Sequence, residues 1–197
     1  MDFDESIKKN VAILISGGGG LMNRAILESK KDNSKYSVEV VIGSSVDCHG
    51  LIIAQEQGIL TRVVDFSDKR LWNKKSNEVF EYLDSLENID FVLLLGWIKK
   101  ITLNDKWFGK VYNIHPSLLP KYEGRGMFGY AVHKAVIDNK EKESGFTFHS
   151  IDNEYDKGKI LFQHKINVDE NDTPETLQDK VISLQHEKLF EIINELC

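Results

Sequence analysis

Short runs of apolar, often β-branched residues alternate along the chain with stretches whose apolar positions recur at helical spacing. That alternation predicts βα units around a mostly parallel, twisted sheet flanked by helices, an α/β fold. Residues 11–16 (VAILIS) read as a buried first strand, residues 17–20 as a glycine loop and residues 22–30 as a helix. A second strand is expected over 38–42, a short helix over 49–57 stopped by Gly58, and a third strand over 61–65. Residues 69–86 form a long amphipathic helix in this reading, with Leu71, Val79, Tyr82, Leu83 and Leu86 facing inward. The most apolar strand is 91–95, FVLLL.

The second half changes character. A short strand over 111–114 runs into HPSLLP, followed by the Gly-rich EGRGMFG and a helix over 130–139. Residues 144–151 and 160–168 read as two strands separated by a polar stretch. The last helix opens at Thr173-Pro174, where Thr can cap and Pro suits the first helical position. Leu177, Val181, Leu184, Leu189, Ile192 and Ile193 fall on its core-facing side.

Composition narrows the classes. In 197 residues, 25 Lys+Arg against 31 Asp+Glu give a net charge of -6, with 41% hydrophobic and 28% charged residues. An acidic globular protein of one domain fits, and the length suffices for a proper core. The longest apolar run, residues 91–98, is far short of the roughly 20 residues a spanning helix needs. The opening MDFDESIKKN lacks the apolar stretch of a secretory signal, so the chain is expected to stay where it is made. Cys48 and Cys197 cannot build a disulfide framework, which fits a reducing cytoplasm. Negative net charge and scattered lysine pairs argue against nucleic acid as a partner, and the short apolar run argues against a membrane.

Four consecutive glycines, Gly17, Gly18, Gly19 and Gly20, lie between a buried strand and a helix. They let the backbone approach an anion beside exposed helical N–H groups. Two readings stay open: a phosphate site, or a plain tight strand-to-helix turn. The dinucleotide fingerprint would need Gly where Met22 stands. At the end of the 111–114 strand, alternation puts Asn113 and His115 on one side and Ile114 on the other. An amide N–H can polarise a carbonyl and an imidazole can move a proton at the same centre, although a strand-end Asn-x-His is as readily structural. His149 sits on a strand with Phe146 and Phe148 on one face and Thr147, His149 and Ile151 on the other. By composition alone, Asp152, Glu154 and Asp156 are a solvated turn. No metal-ligand spacing is present, and no metal site is expected.

The stretch 113–121, NIHPSLLPK, resembles the signature of the folate-dependent formyltransferases. VAILISGGGG and LLLGWIKKI before it, and TFHSIDNEYDKGKILFQ after it, are similar to the same family in the same order, and KYEGRGMFG with HKAVI resembles one branch. The resemblance implies a Rossmann-like formyltransferase fold in a single domain, 1–197. Residues 1–100 would be the Gly-loop, phosphate-binding half and 101–197 the folate-binding and catalytic half. It further implies formyl transfer from 10-formyltetrahydrofolate, as cosubstrate and without a metal, to the amine of glycinamide ribonucleotide in purine biosynthesis. A nucleotide-sugar amine, methionyl-tRNA or a noncatalytic binding role is the alternative. Carried over by position, Asn113, His115 and Asp156 become catalytic, with Asp156 in the pattern Glu154-Tyr155-Asp156-Lys157-Gly158 and His149 beside the site. Folate would lie along Trp97, Ile98, Lys99, Lys100 and Ile101 and against Ile151, Asp152, Asn153 and Glu154. Lys99 falls where many members have Arg, a better fork for hydrogen bonds. One departure stands out: the family usually has G-x-G-S/T-N, whereas this chain has Leu21-Met22-Asn23 after its glycines. Gln185 stands where an acidic residue that holds the ribose is common. A monomer or homodimer is expected.

Overall fold

A computed structural model describes residues 8–197; the acidic opening segment, residues 1–7, lies outside the described residues. The chain divides into two compact units, one running up to Lys99 and taking in Leu189–Cys197, the other Lys100–Lys188.

In the first unit, β1 (Lys9–Ile15), β2 (Tyr36–Gly43), β3 (Leu60–Val63) and β4 (Phe91–Leu94) alternate with α1 (Gly20–Ser29), α2 (Gly50–Glu56) and α3 (Trp72–Ser85). β1 pairs in parallel with β2 on one side and β4 on the other, and β2 pairs in parallel with β3. The residues from Val11 to Ile15 are fully buried, as a strand covered on both faces requires, which is why VAILI shows no polar alternation. The expected 69–86 helix begins later. Lys69–Leu71 is a single 3₁₀ turn whose Asp68 side chain accepts the Arg70 N–H, and α3 starts at Trp72. Because 3₁₀ and α windings differ in phase, Leu71 is exposed rather than inward. Phe80 is buried beside Val79 and Leu83, while half-buried Tyr82 lies under the Arg62 guanidinium at 4.2 Å.

The second unit contains β5 (Val111–His115), α4 (Tyr130–Asp138), β6 (Glu143–Ser150), β7 (Ile160–Asn167) and most of α5 (Pro174–Leu196). β6 runs antiparallel to both β5 and β7. The connection between β6 and β7 is too short for a helical crossover, so the two strands fold back as a hairpin. Its apolar face stacks Tyr112 on Phe148 at 5.6 Å and tilts Phe148 against Phe162 at 6.2 Å. α5 opens as its sequence predicts: Thr173 Oγ1 accepts the Thr176 N–H at 3.3 Å. Leu177, Val181, Leu189, Ile192 and Ile193 are buried along it. Among the described residues no helix is long and apolar enough to cross a membrane.

Candidate active site

The β5–β6 register pairs Asn113 with His149 and His115 with Thr147. Side chains opposite each other on one face of antiparallel strands meet, and here the Asn113 amide nitrogen lies 3.2 Å from His149 Nε2. The other ring nitrogen of His149 is 2.8 Å from the Ser150 carbonyl. A carbonyl only accepts, so Nδ1 carries the proton and Nε2 of the neutral ring is a bare acceptor for an Asn113 N–H. His149 is buried, and burial lowers its pKa, against weaker opposing effects of the Ser150 carbonyl and the Asp156 carboxylate. The neutral ring fixes the amide's orientation. One N–H of Asn113 goes to His149 and the second remains for a substrate oxygen.

The same logic sets His115. Its Nε2 is 2.8 Å from the Tyr122 carbonyl and therefore holds a proton. Nδ1 faces Asp156 Oδ1 at 3.6 Å. In a neutral ring that arrangement sets a nitrogen lone pair against a carboxylate, whereas a proton on Nδ1 converts it into an ion pair. The Asp156 carboxylate is thus the group that Nδ1 of His115 faces. Asp156 Oδ1 also lies 3.8 Å from His149 Nε2, and Oδ2 accepts the Gly124 N–H at 2.9 Å.

Asp156 is held by a loop closed at its base. The Ser150 N–H donates to the Lys159 carbonyl at 2.9 Å, and the Lys159 N–H donates to Ser150 Oγ at 3.0 Å. A Cβ on Gly158 would stand 1.8 Å from the Ser150 carbonyl oxygen, so only glycine lets the two strands of the loop pass. Asn153, expected to contact folate, accepts the Leu103 N–H through Oδ1 at 2.8 Å and anchors the loop instead of ending free. The Glu154 N–H donates to Asp152, and Lys100 lies over the Tyr155 ring at 5.7 Å. Ile101 is buried and Ile151 half-buried.

Residues of the first unit occupy their own setting. Trp97 is buried edge-on against Phe66 at 4.9 Å, Ile98 is exposed with its N–H donating to Ser16 Oγ at 3.2 Å, and Lys99 is half-buried. In the glycine loop, a Cβ on Gly17 or Gly18 would meet nothing within 4 Å. Gly19 differs: its φ is +72°, and a Cβ there would come within 2.6 Å of Met22 Cε and 2.9 Å of Gly50 Cα. The Gly50 N–H also donates to the Gly17 carbonyl at 3.1 Å. Gly19 thus serves backbone packing, while Gly17 and Gly18 leave open space. No side chain caps α1, which begins at Gly20. The side chain of Asn23 is engaged: its Oδ1 accepts from Gln57 Nε2 at 2.5 Å. In the second unit Gln185 is buried on α5.

Several residues of this region carry no motif. The hydroxyl of buried Thr147 donates to the Ser117 carbonyl at 2.7 Å and accepts from the Leu119 N–H at 3.0 Å and from Gln163 at 2.9 Å, which fastens the turn after His115. Tyr122 contributes only its carbonyl and Gly124 only its N–H. His133, on α4, is buried with Nδ1 lacking a hydrogen-bond partner among the described residues. Burial, and next the charge of His115, lower its pKa to about 4.

An imidazole facing a carboxylate, beside an amide with a spare N–H, is an arrangement of the kind acyl-type transfer to an amine uses. Residues 9–193 match the formyl transferase family, and the chain belongs to it. Its relatives include phosphoribosylglycinamide formyltransferase, chloroplastic, from Arabidopsis thaliana, 35% identical over 198 residues, covering 98% of this chain and 67% of that protein. The protein of the same description from Vigna unguiculata is 35% identical over 194 residues, covering 96% of this chain and 61% of its own length. Trifunctional purine biosynthetic protein adenosine-3 from Gallus gallus is 33% identical over 181 residues, 91% of this chain and 17% of that one. The chain thus spans about two thirds of the plant relatives and a small part of the trifunctional one. Among solved structures, phosphoribosylglycinamide formyltransferase from Brucella melitensis superposes with a TM-score of 0.83 at 28% identity, covering 96% of this chain and 95% of that one.

Proposed function

We propose that the chain transfers the formyl group of 10-formyltetrahydrofolate to the primary amine of glycinamide ribonucleotide, a step of purine biosynthesis. The observation that carries this reading is the double tautomer lock. Backbone carbonyls hold His149 Nδ1–H and His115 Nε2–H, which leaves Asn113 with a free donor and His115 Nδ1 with a free basic site.

Asn113 donates its spare N–H to the formyl oxygen as negative charge develops there, a contact that strengthens toward the transition state. His115 Nδ1 takes the proton that the amine loses and returns it to the departing nitrogen, so protons balance over the cycle. Asp156 stabilises the imidazolium in between and, by accepting the Gly124 N–H, keeps its carboxylate on that side. The loop of residues 151–158, with Lys100 and Tyr155, is the folate-facing wall in this reading, and Gly17 and Gly18 with the uncapped start of α1 receive the substrate phosphate through N–H groups and dipole. Both cysteines are free thiols, in keeping with a reducing compartment such as the cytoplasm.

Because Asn23 is bound to Gln57, the phosphate site relies on backbone alone, and a sugar amine is the competing acceptor. Incubation with 10-formyltetrahydrofolate and either glycinamide ribonucleotide, its dephosphorylated riboside or a nucleotide-linked amino sugar tests the reading. The ribonucleotide should be consumed at the highest kcat/KM. Preference for the amino sugar, or equal use of the riboside, would overturn the acceptor assignment.

A further inference from the structure

A cavity of about 540 Å³ lies in the second unit, and neither Asn113, His115 nor Asp156 lines it. Its walls mix apolar Leu118, Leu119, Pro120 and Val136 with a rim of charge. Four lysines, Lys121, Lys140, Lys142 and Lys165, stand against two glutamates, Glu141 and Glu143. Both glutamates are engaged: Lys121 pairs with Glu141 at 2.9 Å and Lys165 with Glu143 at 3.1 Å. Lys140 and Lys142 have no ion-pair partner among the described residues, so positive charge is in excess.

A polar group inside the cavity points the same way. Ser144 is 2% exposed and lines the wall, yet its Oγ has no hydrogen-bond partner among the described residues. A buried hydroxyl without a partner costs on the order of 1–3 kcal/mol, a cost that a ligand oxygen would remove. The other polar atoms nearby are satisfied: Ser117 Oγ donates to the Lys121 carbonyl at 2.6 Å and Gln163 Nε2 to the Leu119 carbonyl at 2.9 Å.

We propose that this cavity binds a small organic anion, a phosphate or carboxylate carried on an apolar body, at a site separate from that of formyl transfer. Lys140 and Lys142 meet the anionic head, Ser144 Oγ donates to it, and the leucine and proline wall covers the body. Occupancy bears on catalysis through one peptide unit. Tyr122 lines the cavity, its hydroxyl donates to Glu141 at 3.1 Å, and its carbonyl holds His115 Nε2–H. An occupant that draws the lysines inward moves the Tyr122 carbonyl and with it the imidazole; this link to activity rests on the role proposed for His115.

The test is a titration of the full chain, followed by NMR, with phenyl phosphate, benzoate and phenol in the presence of a saturating folate analogue. The anions should bind and phenol should not, and the stronger of the two heads identifies the source chemistry. In a variant carrying both Lys140→Glu and Lys142→Glu, surface changes outside the catalytic machinery, affinity for the better anion should fall roughly tenfold or more. His115 ring signals should move with wild-type titration and stay still in the variant. Unchanged affinity in the variant, displacement by the folate analogue, or no anion binding up to about 10 mM would overturn the site. These binding readouts need no formyl transfer, so their failure is distinct from failure of the catalytic reading. Anion binding that leaves the His115 signals in place would remove the link to catalysis.

Discussion

Acid should act on this fold through His133 more strongly than through a surface histidine. The ring is 1% exposed on α4, Nδ1 has no hydrogen-bond partner among the described residues, and burial, with the charge of His115 second, lowers its pKa from 6.5 to about 4. In the unfolded chain the ring takes its proton near 6.5; the folded chain resists until about pH 4. Between those values the unfolded state binds the extra proton, so stability falls as pH falls. The contribution is fully present above pH 6.5 and is lost at up to about 1.4 kcal/mol per pH unit, reaching at most about 3 kcal/mol near pH 4. His133→Leu removes both the titration and the unpartnered nitrogen. Urea unfolding of the two proteins should show the variant gaining on the wild type by roughly 2–3 kcal/mol from about pH 7.5 to about pH 4.5. Parallel stability curves across that range would refute the reasoning.

Thr147→Val leaves the Leu119 N–H and the Ser117 carbonyl unpaired and should cost about 2–4 kcal/mol by thermal unfolding; a loss under about 1 kcal/mol would mean the hydroxyl does not fasten that turn. Gly18→Val, pointing into open space, should keep the fold but raise KM for glycinamide ribonucleotide far more than KM for folate, and equal rises would remove the loop from phosphate binding. Gly19→Ala, by contrast, should lower the thermal midpoint because its Cβ runs into Met22 and Gly50; an unchanged midpoint would show that the loop yields. His115→Asn and Asp156→Asn should each lower kcat by about 10²-fold or more, and the double variant should lose little beyond the worse single one. Additive losses would show that the two side chains do not act as one unit.

Much of this was legible in the chain. VAILI and FVLLL read as strands from their unbroken apolar runs, and Thr173-Pro174 marked the start of α5 because capping and the missing N–H are local effects. Asn113 and His115 on one face followed from strand alternation, and the meeting of Asn113 with His149 needed only the antiparallel register of the second unit. Leu71 misled because a 3₁₀ turn, set by the Asp68 cap, shifts the phase of everything before Trp72. The glycine run concealed two different tasks, since only the approach of Gly50, distant in sequence, distinguishes Gly19 from Gly17 and Gly18. Tyr122 and Gly124 were invisible for a simpler reason: they act through backbone atoms, and a main-chain carbonyl leaves no trace in side-chain identity. Thr147 does carry a usable signal, a hydroxyl on a strand between two buried phenylalanines, which must find partners inside.

The central claim is that Asn113 stabilises charge on the formyl oxygen with an N–H left free by neutral His149. The most direct measurement is the single-turnover rate of formyl transfer from 10-formyltetrahydrofolate to glycinamide ribonucleotide, in wild type and Asn113→Ala, with folate-analogue affinity and thermal midpoint measured alongside. The account predicts near-unchanged affinity and midpoint with a rate lower by roughly 10²–10³, the loss expected for one oxyanion donor. A variant that keeps its rate per folded molecule while its midpoint collapses would contradict the account, because Asn113 would then hold the strand end rather than the transition state.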